Sequence, residues 1–377
     1  MMKSTRYLFL GSLVLGTTLS VMGQSTPEDV TEFTLYGFGR TTFVWDDQDM
    51  KRSDLFVPAN ITVNGNKIPN FFVGSKQTRL GFDVKHLIGS KVLDIKIEGD
   101  FHNDATDATG LFRMRHAYVN YKFVMIGMNW SNFFDEEVNP VVVDFEGPNS
   151  STLSRTPQIR FSTYAAKNVL SISLENPIEN VTLGGPVTVL PERFPDVIAG
   201  YRINGTFGFV KAAALLRELR YESDQPRSLL GYGLTLMTSV KTGKSDKVKF
   251  QAVTGTGVAR YIQGASGLNY DAIYNGTNEL ETVPMHGSNV SYQHYWKNHM
   301  HSSLTVGYLG IGDNTNLGAN SFKSGFYSSA NLFWDPVKNL TFGWEAVLGQ
   351  RRNTDNASGS ALRLQMNATY KFNKSIN

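Results

Sequence analysis

Apolar and polar residues alternate along this chain, and the alternation restarts again and again to its end. From Ala361 to Phe372 one parity holds Leu362, Leu364, Met366, Ala368, Tyr370 and Phe372; the other holds Arg363, Gln365, Asn367, Thr369 and Lys371. A strand turns successive side chains to opposite faces, so this segment predicts a strand with one greasy and one polar face. Phe33, Leu35, Phe43 and Trp45 oppose Tyr36 and Arg40 in the same way. Leu93, Ile95, Ile97 and Phe101 oppose Asp94, Lys96, Glu98 and Asp100. Leu340, Phe342, Trp344 and Leu348 oppose Thr341, Glu345 and Arg351. About sixteen such segments recur, each near the roughly ten residues a tilted membrane strand needs.

Two surroundings suit such strands. In a secreted sandwich the apolar face meets a second sheet; in a membrane barrel it meets lipid while the polar face lines a wet lumen. Four consecutive charges on one parity, Asp94 to Asp100, require that face to be wet. Some connections are turn-like, such as Gly89-Ser90, Thr242 to Asp246 and Asp335-Pro336, whereas 47–70, 133–156, 177–194 and 260–283 are long. Short turns at one end and long loops at the other predict an all-β transmembrane antiparallel barrel of about sixteen strands. The mean hydropathy of −0.23 suits a wall on which only alternate residues meet lipid. The aromatics Tyr118, Tyr292, Trp296, Trp334 and Trp344 read as interface anchors.

The N-terminus agrees with export. Lys3 and Arg6 precede an apolar core at Leu8–Gly16, and Val21-Met22-Gly23 offers a cleavage site. The expected organisation is a signal peptide at 1–23, a short linker at 24–31, the barrel at 32–372 and a tail at 373–377, which places the protein in the bacterial outer membrane. The chain has no cysteine, so thiolate metal sites, disulfides and a lipoprotein anchor are excluded. A net charge of +3 is too slight to imply nucleic acid. Several Asn-x-Ser/Thr matches, such as Asn204-Gly-Thr206 and Asn367-Ala-Thr369, lie inside predicted strands, so these matches read as chance.

A barrel of this size encloses water, so selectivity comes from lumen charge and from whatever narrows the hole. Segment 133–156 is too long for a turn, yet carries Val141, Val142, Val143 and Phe145, which predicts a loop folded inward. Its charged residues are Asp135, Glu136, Glu137, Asp144, Glu146 and Arg155. On the polar parity stand Arg113 and Arg115, two apart, with Arg160, Arg40, Arg79, Arg202, Arg351 and Arg363. Arginine keeps its charge and forks onto carboxylate or phosphate, so arginines facing water concentrate small anions. The opposing reading pairs each with Asp94, Glu98, Asp100 or Glu345, and the loop's acids could favour cations. The facing of Tyr118, Arg217 and Arg220 stays open. His116, His294 and Ser302 fall near outward parity, but no Gly-x-Ser-x-Gly elbow accompanies them, so neither enzyme, metal nor cofactor is expected.

The chain resembles the DcaP-like trimeric porins of Gram-negative outer membranes. The matching stretches are Tyr36–Arg40, Gln77–Phe82, Ile97–Phe101, Arg113–Tyr118, Gly127–Ser131, Asp144–Pro148, Arg155–Arg160, Leu174–Pro177 and Ala213–Arg220. The resemblance covers roughly 35 to 220 well and the second half more loosely, as at Tyr292–Trp296. It implies a sixteen-stranded homotrimer, set in lipid and lipopolysaccharide, that passes small anionic solutes such as dicarboxylates. It places Arg113, Arg115 and Arg160 near the eyelet. Members of the family can carry an N-terminal helical extension; here only 24–31 is expected before the barrel, so trimer contacts would come from the walls. The rival readings are a phosphate-selective porin and a plugged structural or adhesin barrel.

Overall fold

The computed structural model describes residues 31–51, 53–102, 110–313 and 316–376; the expected signal peptide and nearly all of the linker lie outside them. Sixteen antiparallel strands close into a barrel. In chain order they begin with Thr31–Asp46, then a strand broken into Asn70–Gly74 and Arg79–Ile88, then Lys91–Asp100, Arg113–Tyr121, Val124–Trp130, Arg155–Ala165 and Asn168–Glu175. The wall continues through Asp196–Gly205, Gly208–Glu222, Pro226–Lys241, Lys247–Thr256, Pro284–Lys297, Met300–Ile311, Phe322–Val337, Leu340–Asn353 and Ser358–Ile376. Each strand pairs with its chain neighbour, and the first pairs with the last from Phe33↔Ile376 to Asp46↔Arg363. Hydrocarbon offers no partner to a free N–H or C=O, so only this closure leaves no strand edge in the membrane.

The last strand runs past the terminal aromatic. Asn373, Lys374 and Ser375 pair with Tyr36, Leu35 and Thr34, so the expected tail is wall as far as Ile376. The reason is length: the first strand starts at Thr31, and its lower edge needs a partner.

The alternation behaves as predicted. Leu234 is 59% exposed while its neighbour Thr235 is 4% exposed, one facing out and the other in. Tight turns close one end at 89–90, 122–123, 166–167, 206–207, 242–246, 298–299 and 338–339. Lys122, Ala166 and Asn339 take positive φ there. Outside that end, Trp334, Phe342 and Trp344 form a ladder of stacked rings with centroids 6.0 and 6.2 Å apart, a girdle at the membrane surface. Tyr118 is not among the anchors; its ring meets His116 at 6.3 Å, on the inner face.

The opposite end carries the long connections 47–69, 131–154, 176–195 and 257–283. Connections 101–112 and 312–321 also exceed a turn, which the alternation did not predict. Three loops fold into the barrel. Met50, Phe56 and Ile61 of 47–69 pack on Tyr327, Val347 and Ala361. Phe133 of 131–154 and Val258, Tyr261 and Ile262 of 257–283 share a buried cluster with Ile198, Leu215 and Val253 of the wall. These loops occupy part of the lumen, and a cavity remains between them and strands from Thr31–Asp46 to Arg155–Ala165.

Because Leu234 stands near the middle of its strand, facing out, Leu234→Arg should cost about 2–4 kcal/mol in denaturant unfolding from lipid vesicles. An unchanged unfolding midpoint would contradict the assignment of that face to hydrocarbon.

Candidate functional site

The space left open is a cavity of about 640 Å³ between the first strands and the infolded loops. Its wall carries Arg40, Arg79, Arg113 and Arg115, and Arg155 stands where loop 131–154 rejoins the wall. Glu136, Asp144 and Glu146 of that loop and Gln263, Ser266 and Gly267 of loop 257–283 also line it, as do Leu55 and Val57 of loop 47–69.

Local sequence explains how the cations arrive together. Arg113 and Arg115 share the inward face, and the register slips beside them: Gly99 pairs with Met114, but Glu98 pairs with His116. This bulge gives one extra residue to the arginine strand and turns His116 inward as well. His116 is accordingly buried and meets the Trp130 ring at 5.5 Å, which corrects its expected outward facing. Tyr118 follows it inside. Gly127 makes room for that strand: a Cβ there would stand 2.2 Å from the Ala117 carbonyl, and φ is +127°.

The inward carboxylates of Lys91–Asp100 set the electrostatics. Asp100 takes both forks of Arg113, at 2.9 Å each, and Arg115 at 2.7 Å. Glu98 takes Arg115 at 3.0 Å and Arg79 at 3.3 Å. Arg40 donates to Thr369 and Gln77. Arg155 lies over the Trp130 ring at 4.6 Å. Among the described residues neither Arg40 nor Arg155 has a carboxylate partner. Aromatic faces hold the guanidiniums in place: Phe38 lies beneath Arg40 and Arg79 at 4.8 and 5.2 Å, and Phe145 beneath Arg115 at 5.8 Å.

The remaining arginines do other work. Arg160 donates to Gln158 and to the Trp130 carbonyl, outside the passage lining. Arg202 is clamped by Asp135 at 2.8 Å and Glu137 at 2.6 Å, so these two acids hold the loop to the wall. Arg351 donates to the Ala59 and Asn320 carbonyls at the mouth. Arg363 is fully buried and forked onto Asp46 at 2.7 and 3.0 Å. It cannot meet a solute, and its expected place in the pore is corrected. Arg217 faces inward and is buried, while Arg220 lies on the other parity and donates to the Pro191 carbonyl.

Loop 131–154 is gripped along its length by inward wall residues. Lys211 and Lys249 donate to the Phe134 and Asn139 carbonyls, both at 2.6 Å. Asn331 donates to the Val141 carbonyl at 2.9 Å. Glu345 accepts from the amides of Val143 at 3.1 Å and Asp144 at 2.7 Å. Asp144 in turn accepts from the Phe56 and Gly147 amides, joining loops 47–69 and 131–154. Burial pushes its carboxyl up to about 7. Asp144 is therefore a fastening rather than a solute-facing charge.

The geometry is that of a charged cavity inside a closed barrel, and comparison with known proteins identifies the barrel's family. The model of the DcaP outer membrane protein family matches residues 18–372. The chain belongs to the DcaP family. It superposes on the outer membrane channel DcaP of Acinetobacter baumannii with a TM-score of 0.82 at 24% identity, covering 91% of this chain and 97% of that one. An anion-selective porin from Comamonas acidovorans gives 0.58 at 11% identity, over 91% and 100%. OmpT of Vibrio cholerae gives 0.57 at 12%, over 91% and 98%. Among proteins of curated function none matches in sequence. This DcaP-family barrel thus sits in the bacterial outer membrane, and its family and structural relatives are channels, not enzymes. His294 and Ser302 do face outward, with His294 Nδ1 2.8 Å from Asp246, but the Ser302 hydroxyl accepts from Trp296 Nε1.

Since Asp46 and Arg363 are both fully buried, Arg363→Met leaves an unpaired carboxylate and should destabilise the barrel by about 3–5 kcal/mol in denaturant titration. Ion selectivity should stay as in the parent. A shift in reversal potential at unchanged stability would return Arg363 to the pore.

Proposed function

We propose that this barrel is a passive porin that favours small anions, dicarboxylates among them, and works as a homotrimer. The observation that carries the reading is the excess of arginine on one side of the passage. Arg40, Arg79, Arg113, Arg115 and Arg155 border the passage, and the wall carboxylates Glu98 and Asp100 pair with only Arg79, Arg113 and Arg115. Glu136 and Glu146 face them from the loop. Cations on one side and fewer anions on the other make a transverse field. A solute with two carboxylates can engage two guanidiniums at once while its apolar middle passes. The margin is small, so the preference is a bias and not a filter.

The bulge device supports the same reading. It presents Arg113 and Arg115 side by side over one fixed carboxylate pair, which keeps the guanidiniums oriented while leaving donor edges toward the passage. Family membership supports the channel, and OmpT of Vibrio cholerae, which shares the fold, is known in a trimer form. No sequence of proton or electron transfers is required. Diffusion is downhill, and the protein supplies a hole, a field and a size limit.

Planar-bilayer recording in a salt gradient tests this. The parent should show steady open current and a reversal potential of anion-preferring sign. Arg40→Ala with Arg155→Ala should move it toward cations, and Glu136→Gln should move it further toward anions. A cation-selective parent would overturn the anion reading, and a parent without steady current would favour the plugged scaffold. Stronger block of chloride current by phosphate than by succinate would favour the phosphate-selective alternative. Light scattering in detergent should give three copies per particle.

A further inference from the structure

Loop 131–154 is not alone in bounding the passage. Ser266 and Gly267 of loop 257–283 are exposed and line the same cavity, as does Gln263. A Cβ on Gly267 would meet nothing within 4 Å, so the tip borders open space. The loop is also wedged against its neighbour: the Gln263 and Gly264 amides each donate at 2.8 Å to the Ser151 and Asn149 carbonyls of loop 131–154.

Its root is fixed by a buried set of charges that the passage does not use. Asp196 and Arg217 come from the wall, and Asp271 and Arg260 from the loop. The side chains of Asp196, Arg217 and Asp271 are fully buried, and Arg260 nearly so. Arg217 donates to Asp271 at 2.9 Å, Arg260 lies 3.3 Å from Asp196, and the Tyr261 hydroxyl donates to Asp196 at 2.8 Å. Asp271 also accepts from the Arg260 amide at 3.1 Å and from the Asn180 amide of the next loop at 3.0 Å. Charges removed from water at such cost must each keep their partners, so the set has one arrangement and holds the loop in one place.

We propose that loop 257–283 is a second determinant of what passes, with Ser266 as a selectivity position and the Asp196–Arg217–Asp271–Arg260 box as its positioning device. Ser266 lines the same cavity as Arg113 and Arg155, so a side chain grafted there enters the field that a solute meets. The box acts only through the loop: it touches no solute, and it decides how far the tip stands from the arginines. Loosening it widens the passage and lets it fluctuate, while the closed wall, whose hydrogen bonds lie elsewhere, stays intact.

The inference rests on the passage being the conducting route, and single-channel recording of the full chain separates the two ideas. Ser266→Trp should lower conductance about two-fold by narrowing the route, and Ser266→Glu should shift the reversal potential toward cations. Asp271→Asn, close in shape, should raise conductance and add rapid fluctuations absent from the parent, with heat-resistant electrophoretic mobility retained. Adding Ser266→Trp to Asp271→Asn should then narrow it less than in the parent, because the released tip no longer stands in the route. A silent parent channel would remove both readings. A conducting parent in which both Ser266 variants match it in conductance and selectivity would overturn this one alone, even if Asp271→Asn fails to insert.

Discussion

Everything in this molecule depends on the closed ring of backbone hydrogen bonds, and above all on the seam between the first and last strands. That seam runs the whole length of Phe33–Asp46 and leaves no free edge in hydrocarbon. Once the ring is closed, each strand has one face for lipid and one for water, and inward side chains of the first and last strands become neighbours. Arg363 forking onto Asp46 is one case: the closure itself brings residues from the two ends of the chain into one ion pair.

The inner face then divides its labour. On the side of the later strands, inward polar residues hold loops. Lys211, Lys249, Asn331 and Glu345 each spend a donor or acceptor on the backbone of loop 131–154. On the side of the earlier strands, the inward arginines Arg40, Arg79, Arg113 and Arg115 border the open cavity. A buried lysine on a carbonyl and a guanidinium facing a passage look alike in a parity count, since both need only the wet face. What separates them is whether a loop reaches them.

This explains how far the sequence could be read. Parity alone located Arg40 and Arg79 on the inner face, and the two-residue spacing of Arg113 and Arg115 put that pair on one face. It misplaced His116 and left the facing of Tyr118 open, because the bulge beside Arg115 shifts the count by one and carries no residue signature. Arg202 and Arg363 were legible as inward but not as paired, since Asp135 and Asp46 reach them only through the folded loop and the closing seam. Loop 131–154 betrayed itself by its valines. Loop 257–283 did not, for its buried cluster of Val258, Tyr261 and Ile262 sits among glycines and polar residues that read as an ordinary surface connection. The strand at 373–376 was missed because a terminal aromatic marks the membrane surface and not the end of hydrogen bonding.

The central claim is the partition of one wall between hydrocarbon and a wet, arginine-lined passage. The absence of native cysteine makes it directly testable by adding a sulfonate-bearing, water-soluble thiol reagent during channel recording to single-cysteine variants. Phe38→Cys, on the passage, should react and cut the current, whereas Leu35→Cys, on the opposite face of the same strand, should remain inert. Reaction at position 35 with none at position 38 would contradict the account.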